Sequence, residues 1–276
     1  MKGRNFVYNL LVANVKNVYH FITFVLYVVI REVLFISVVL FKKQRDLIIS
    51  ADLFTYSKQS STYNAASIEV LEGLEPVRKR PGMYIGGTDE RAMYHLVSEV
   101  LDNSMDEAVA GYASRIELTF NEDLSVSISD NGRGIPVDPH PKFPEKSALE
   151  VILCTLHAGG KFSGKNYETS GGLHGVGISV VNALSEKLEV KVIRDHKVFN
   201  QNFSRGIPTT ALTQSGSTKR KNGTTIRFKP DDLIFGQAAA FKAEKLFNMV
   251  RSKAYLFSGV ELVWKCLIKV LDIPQT

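Results

Sequence analysis

The chain has 276 residues, 45% of them hydrophobic, and a formal net charge of +6, enough for one large domain or two small ones with ordinary cores. Two cysteines, Cys154 and Cys266, exclude a disulfide framework and a cysteine-based zinc site, and they suit a reducing compartment. The excess charge is local: residues 1–60 carry eight Lys/Arg against three Asp/Glu, whereas residues 61–276 carry 26 against 25. The bulk of the chain is therefore nearly neutral, and a main nucleic-acid surface is expected elsewhere.

Residues 21–41 read "FITFVLYVVIREVLFISVVLF", long enough to span a bilayer. Sixteen Leu/Ile/Val/Phe residues offer roughly −5 to −10 kcal/mol, and the central Arg31 and Glu32 cost roughly 5–7 kcal/mol, so insertion is marginal. Lys2, Arg4 and Lys16 precede the run and Lys42, Lys43 and Arg45 follow it, which sets no orientation. Its length and central charges argue against a cleaved signal peptide. A membrane anchor, an apolar helix covered by a partner, and an extension outside the working protein remain as readings. The polar "SKQSST" (57–62) marks the boundary.

The following residues alternate helical and strand patterns. A short helix is expected from Ser67 as N-cap, broken at Pro81-Gly82. Residues 91–111 form the clearest helix, with Met93, Leu96, Val97, Val100, Leu101, Met105 and Ala108 on one stripe. Asp89 and Glu90 suit its start and Gly111 its end. The period then becomes two: Ile116, Leu118 and Phe120, then Leu124, Val126 and Ile128, linked by a short polar turn as a β-hairpin. Ser147 and Glu150 make a capping box for a helix through about His157, whose imidazole suits a helix end. A helix "ISVVNALS" (178–185), strands over 188–193, 198–203 and 224–229, and a last helix over 238–256 complete an α+β pattern. The order implies a two-layer sandwich, a mixed and mostly antiparallel sheet with helices on one face.

Three features carry chemistry. Glu99, Asn103 and Asp106 share one face of the long helix, opposite the apolar stripe, with Asp102 and Glu107 beside them. That face is either solvated, or a place where a carboxylate deprotonates water and an amide oxygen ligates Mg²⁺. Asp130 keeps the phase of Val126 and Ile128, so it either points into the core and needs donors, such as the amine edge of a base, or it belongs to a turn with Asn131 and Gly132. The glycine-rich segment over 157–177 ends in "GGLHGVG" (171–177) and reads as a lid. The lid matches neither a P-loop nor a dinucleotide fingerprint. Lys161 within it is a phosphate contact or a solvated loop lysine, and His174 a ligand or a spacer.

Together "EVLDNSMDEAVAG", "SDNGRGIP", "LHAGGKF" and "SGGLHGVGISVVNALS" resemble the GHKL ATPases, whose nucleotide site is the Bergerat fold. Within them the chain is most similar to B subunits of bacterial type II DNA topoisomerases. "YNAASIEVLEGLEPVRKRPGMYIGGTDE" and "DPHPKFPEKSALEVIL" look more like the topoisomerase IV branch than the gyrase branch. The resemblance covers about residue 63 onward. It implies ATP and Mg²⁺ as ligands, with Glu99 as general base and Asn103 as metal ligand. It implies that Asp130 accepts from the adenine amine, that Thr224 is its water-linked companion, and that Arg133 pairs with Glu107 beside the base. Asp106, Gly134, Ile135 and Pro136 complete the base side. Lys161, Gly171, Gly172, Leu173, His174, Gly175, Val176 and Gly177 match the phosphate-holding lid. Tyr63 and Ile68 match an arm that reaches the partner's nucleotide on dimerisation.

The implied organisation is an extension over 1–60, the arm over 61–68, the ATPase domain over 69–265, and the start of a link over 266–276. By resemblance the protein is cytoplasmic, dimerises on binding ATP, and joins the DNA-cleaving A subunit in a heterotetramer. DNA is reached through domains outside this sequence. A family lysine that contacts the γ-phosphate also lies outside it, so weak hydrolysis by this chain is expected. A non-catalytic nucleotide-binding fragment and a gyrase B subunit are the alternatives.

Overall fold

The computed structural model describes residues 30–31, 64–160, 175–237, 239–269 and 274. The chain divides into two compact units, Met1–Glu69 and Val70–Thr276. In the first unit, Ala65–Ser67 form a single 3-10 turn, and the Ser67 hydroxyl accepts from the Asn64 amide at 3.3 Å. Ser67 therefore does not cap an α-helix as expected. Ile68 and Val70 are exposed, so the segment offers no apolar stripe for a helix to bury.

The second unit begins its helices at α1 (Glu75–Lys79), with Pro76 in the first turn, followed by α2 (Gly82–Ile85). The long helix α3 (Glu90–Val109) starts where Asp89 accepts the Ala92 amide at 2.9 Å. It ends just before Gly111, which takes a left-handed φ of +79°. The hairpin pairs β1 (Arg115–Phe120) with β2 (Val126–Asp130), Ile116 lying opposite Asp130. Leu124 is not in the strand: it is exposed, with φ +65°, because the tight turn closing on Asn121 requires a left-handed residue there.

A small hairpin, β3 (Pro139–His140) and β4 (Phe143–Ser147), leads into α4 (Ala148–Cys154). Ser147 caps α4 through the Glu150 amide at 3.1 Å, but the Glu150 carboxylate accepts from Gln201 at 3.2 Å. The helix stops before His157, which sits in a turn at φ +58° rather than at a helix end. Then follow α5 (Gly177–Ala183), β5 (Ser185–Arg194), β6 (Lys197–Ser204), β7 (Ile207–Pro208), β8 (Thr213–Ser217), β9 (Gly223–Pro230), α6 (Asp232–Phe235), α7 (Ala243–Leu256) and β10 (Glu261–Cys266). Helix α7 starts later than the pattern predicts, since Lys242 is still extended.

The main sheet runs β10-β1-β2-β9-β5-β6-β7, with β8 also paired to β6. Every pairing is antiparallel except β1 with β10. One core gathers α3, α5 and α7 with one sheet face: Leu96, Leu101, Ile116, Ile128, Leu188, Phe203 and Phe228 are all buried. The other face is polar, carrying Lys265–Glu117 and Lys187–Glu189 ion pairs. This is the expected α+β sandwich with a mixed, mostly antiparallel sheet.

One ionic knot lies inside. Asp231 is fully buried and accepts from Arg78 at 2.7 Å and Arg205 at 2.8 Å. Arg78 also donates to the Ala183 carbonyl at 2.7 Å, and the Asp231 amide donates to Leu184 at 2.9 Å. The knot thus ties α1 and the β6–β7 turn to the end of α5. Burial alone would raise the Asp231 carboxyl, but hydrogen bonds from Arg205 and Arg78 outweigh it and hold it below the ordinary value.

Among the described residues no helix is long and apolar enough to cross a membrane. The apolar run at 21–41, apart from Ile30 and Arg31, lies outside the described residues.

Candidate nucleotide site

The strand phase carries Asp130 inward. Val126, Ile128 and Asp130 form the buried positions of β2, and Asp130 is 5% exposed. Its donors are close at hand: the Gly132 amide at 2.9 Å, the Ser104 hydroxyl at 3.1 Å from α3, and the Thr224 amide at 3.4 Å. Thr224 lies directly across the ladder from Asp130, and its hydroxyl accepts from the Ile135 amide at 3.3 Å. Burial raises the Asp130 carboxyl above its ordinary value; the Gly132 and Ser104 hydrogen bonds partly offset this, while the Glu107 charge adds to the rise. The inward reading of Asp130 is the one the fold adopts.

Next to it the chain after β2 turns back over α3. Arg133 makes a two-pronged pair with Glu107, at 2.7 and 3.2 Å, and its own amide donates to the same carboxylate at 2.9 Å. The Arg133 guanidinium also lies 3.7 Å from the centre of the Tyr112 ring. Gly134 has φ +78°, and a Cβ there would come 2.7 Å from the Ile193 carbonyl, so no side chain fits. Arg194 donates to the Gly134 carbonyl at 2.9 Å, and Arg220 donates to the Asp130 carbonyl. A cavity of about 380 Å³ opens here, with Tyr112, Arg133, Arg220 and Lys221 among its walls.

The acid face of α3 splits. Glu99 and Asn103 are half-buried, but Asp106 is 5% exposed, not on a solvated face. Near it, Ser104 reaches Asp130 at the end of β2, and Glu107 reaches Arg133 in the segment that follows. Asp102 is held by Ser98 at 3.1 Å and Lys253 at 2.5 Å. Glu99 lies against the start of α5: a Cβ on Gly177 would overlap its carboxylate. His95, one turn earlier, has Nε2 3.9 Å from Glu99. Gly175 and Val176 lead into α5 half-buried, and Pro136 is exposed.

The fold therefore gathers Glu107, Asp130, Arg133, Gly134, Ile135 and Thr224 at one place, and joins Glu99 to Gly177 at the α3–α5 contact. Ile68 belongs to the first unit and is exposed there. Tyr63, Lys161, Gly171, Gly172, Leu173 and His174 lie outside the described residues. Five side chains at the site were not anticipated: Ser104, Tyr112, Arg194, Arg220 and His95. Only His95 had a local signal, its i,i+4 spacing to Glu99. The others arrive through tertiary contacts.

No group of three or more His, Cys, Asp or Glu side chains suited to a metal occurs among the described residues. Half-buried Asn103 on α3 offers an amide oxygen of the kind that Mg²⁺ takes beside phosphates and water.

The family model for histidine kinase-, DNA gyrase B- and HSP90-like ATPases matches residues 88–234. Over 82% of its length the chain is 58% identical to the B subunit of DNA topoisomerase 4 from Rickettsia bellii, covering 35% of that protein. It is 66% identical to the equally named protein from Caulobacter vibrioides, over 74% of this chain and 29% of that one. The chain thus spans about a third of the length of these curated relatives. The 43K ATPase domain of Thermus thermophilus gyrase B, solved with an aminocoumarin, superposes with a TM-score of 0.62 at 46% identity, covering 70% of this chain and 48% of that one. The matched span contains Glu99, Asp130 and Thr224, and the chain belongs to the histidine kinase-, DNA gyrase B- and HSP90-like ATPase family.

Proposed function

We propose that this chain is the ATP-operated part of a type II DNA topoisomerase of the topoisomerase IV kind, in which nucleotide binding closes a dimeric gate and hydrolysis resets it. The observation that carries the reading is the buried Asp130 carboxylate, cross-strand from Thr224, on a chain more than half identical to topoisomerase subunits over most of its length. A carboxylate in that setting accepts from the exocyclic amine of adenine, and Thr224 serves the same edge through water. Glu107 holds Arg133 at the base, with Asp106, Gly134, Ile135 and Pro136 around it. Glu99 orients and deprotonates the attacking water. Asn103 offers the oxygen for Mg²⁺, which when bound neutralises phosphate charge. Lys161 and residues 171–177 hold the phosphates.

The proposed organisation is an extension over 1–60, a dimerisation arm with Tyr63 and Ile68 over 61–68, the ATPase domain over 69–265 and a link from 266. The whole enzyme pairs with a DNA-cleaving A subunit in the cytoplasm and passes one duplex through another. Two measurements test the catalytic half. Glu99→Gln is expected to lower ATP turnover by roughly 10²–10⁴-fold while leaving binding of a non-hydrolysable analogue intact; equal turnover would remove Glu99 from the mechanism. Gly177→Ala drives a methyl into the Glu99 carboxylate. It should lower turnover at least about tenfold, with the unfolding free energy from urea titration changed by no more than about 1 kcal/mol. A variant with undiminished turnover would show that the contact does not set the position of Glu99.

A further inference from the structure

The cavity beside Arg133 is not the pocket into which the Asp130 carboxylate faces. That carboxylate accepts from Ser104 and from the Gly132 and Thr224 amides, whereas the Asp130 backbone carbonyl accepts from Arg220, which lines the cavity. Neither Glu99, Asn103, Asp106 nor Thr224 borders the space. Its walls are cationic. Arg133, Arg220 and Lys221 surround about 380 Å³, and among the described residues no Asp or Glu lines it. Glu107, outside the lining, pairs with Arg133 at 2.7 Å and reduces the three positive charges to a net +2. Arg220 is half-buried and Lys221 exposed, and neither forms an ion pair among the described residues. The Arg220 guanidinium is held in place: Nη2 donates to the Asp130 carbonyl, and the group lies on Gly223, where a Cβ would come 2.8 Å from Nη2. Its Nε and Nη1 have no acceptor among the described residues. Asn222 accepts the Asp195 amide at 3.0 Å through its oxygen, which leaves its NH₂ group to donate. The Tyr112 ring, 51% exposed, is the one aromatic wall. Asn131 fixes the neighbouring backbone by accepting the Ser114 and Arg115 amides at 2.8 and 2.9 Å.

We propose that this cavity is a second ligand site, separate from the nucleotide site, for a small phosphate monoester that carries a flat apolar body. A monoester bears about −1.5 to −2 at pH 7, which matches the net charge of the walls. The open edge of the Arg220 fork and the Lys221 ammonium are donors of the kind that phosphate oxygens take. The Asn222 NH₂ group adds a neutral donor, and Tyr112 gives the body a flat wall to lie against. The volume falls at the lower end of the range for small-molecule pockets, so it holds more than a bare phosphate. Walls without a carboxylate offer nothing to a divalent cation. A neutral apolar ligand would desolvate the cations without compensation. Because hydrogen bonds already hold Arg220, Asn222 and Asn131, little ordering is required on binding. The inference stands apart from the proposed function, since neither Glu99 nor the Asp130 carboxylate takes part in it.

The test is isothermal titration calorimetry on the full chain, with Mg²⁺ and a non-hydrolysable ATP analogue present to fill the nucleotide site. Phenyl phosphate should bind with a dissociation constant below about 1 mM. It should bind at least about tenfold more tightly than inorganic phosphate, which lacks the ring, or benzenesulfonate, which carries a single charge. Lys221→Glu should weaken phenyl phosphate at least about tenfold while leaving affinity for the ATP analogue unchanged. Tyr112→Leu should weaken it at least about threefold. Absence of binding by wild type, or equal binding by Lys221→Glu, overturns the proposal. Binding seen only when the analogue is omitted also overturns it, because the probe then occupies the nucleotide site. Equal affinity for phenyl phosphate and benzenesulfonate overturns the choice of a phosphate monoester. If wild type binds phenyl phosphate through Lys221 but no ATP analogue, the proposed function falls and this site stands.

Discussion

Asp231→Ala is expected to destabilise the protein by about 3 kcal/mol or more, because it strips a fully buried carboxylate from two arginines and leaves their guanidiniums facing each other. The figure stays at the lower end of the buried-pair range because the arginine side chains are partly exposed, 23% for Arg78 and 41% for Arg205. Urea midpoints at pH 7 check this, with Arg205→Ala as the comparison that should cost less. A loss below about 1 kcal/mol would show that solvent reaches the knot and screens it. The pH dependence has a definite sign. The folded carboxyl lies below its ordinary value, so its stabilising contribution is present above the unfolded value, near pH 4, and is lost as pH falls through the folded one. The wild-type advantage over Asp231→Ala should therefore shrink only on the acid side, below about pH 4.

Asp130→Asn is expected to act in opposite directions on stability and on binding. Under the proposed function the carboxylate accepts from the adenine amine, and the amide variant must spend its oxygen on the Gly132 and Thr224 amides. The NH₂ group is then presented to a donor, and ATP-analogue affinity should fall by about a hundredfold, about 2.7 kcal/mol. Titration of a fluorescent analogue measures it, and undiminished affinity would remove Asp130 from the adenine contact. In the empty protein the same change removes a buried charge. The Asp130 carboxyl is raised in the fold, so its contribution is fully present below the unfolded value and is lost as pH rises through the folded one. The variant should be at least as stable as wild type at pH 7, with any advantage vanishing toward pH 4. Binding and stability would then trade against each other at one atom pair.

Elements built on long periodic patterns were legible in the sequence. The stripe on α3, the alternation through β2 into Asp130 and the Ser147 cap all follow from one-dimensional spacing. Short elements were not: β7 and β8 carry no buried face at all, so no period marks them. Strand β10 did alternate, with Trp264 and Cys266 buried, but its partner is remote and its parallel pairing is invisible locally. At the site, Glu107 and Arg133 were readable as a pair through the family resemblance, whereas Tyr112 and Arg194 reach it only because the sheet brings them there. The distribution of charge within the near-neutral span 61–276 was hidden for the same reason. Averaging cancelled the +5 of residues 191–197 and 217–222 against an acidic remainder, and only the hydrogen bonds between these two turns join their lysines into one surface.

The parallel pairing of β10 with β1 has a consequence for how the chain is made. Arg115 and Glu261 lie side by side in the finished sheet but 146 residues apart in the chain. At a synthesis rate of about 5–20 residues per second, the ribosome delivers the second strand about 7–30 s after the first. Until then β1 is an open edge with Ile116, Leu118 and Phe120 uncovered on that side. The nascent protein therefore passes through an obligatory interval with its sheet unclosed, during which chaperone protection counts for more than the stability of the completed fold.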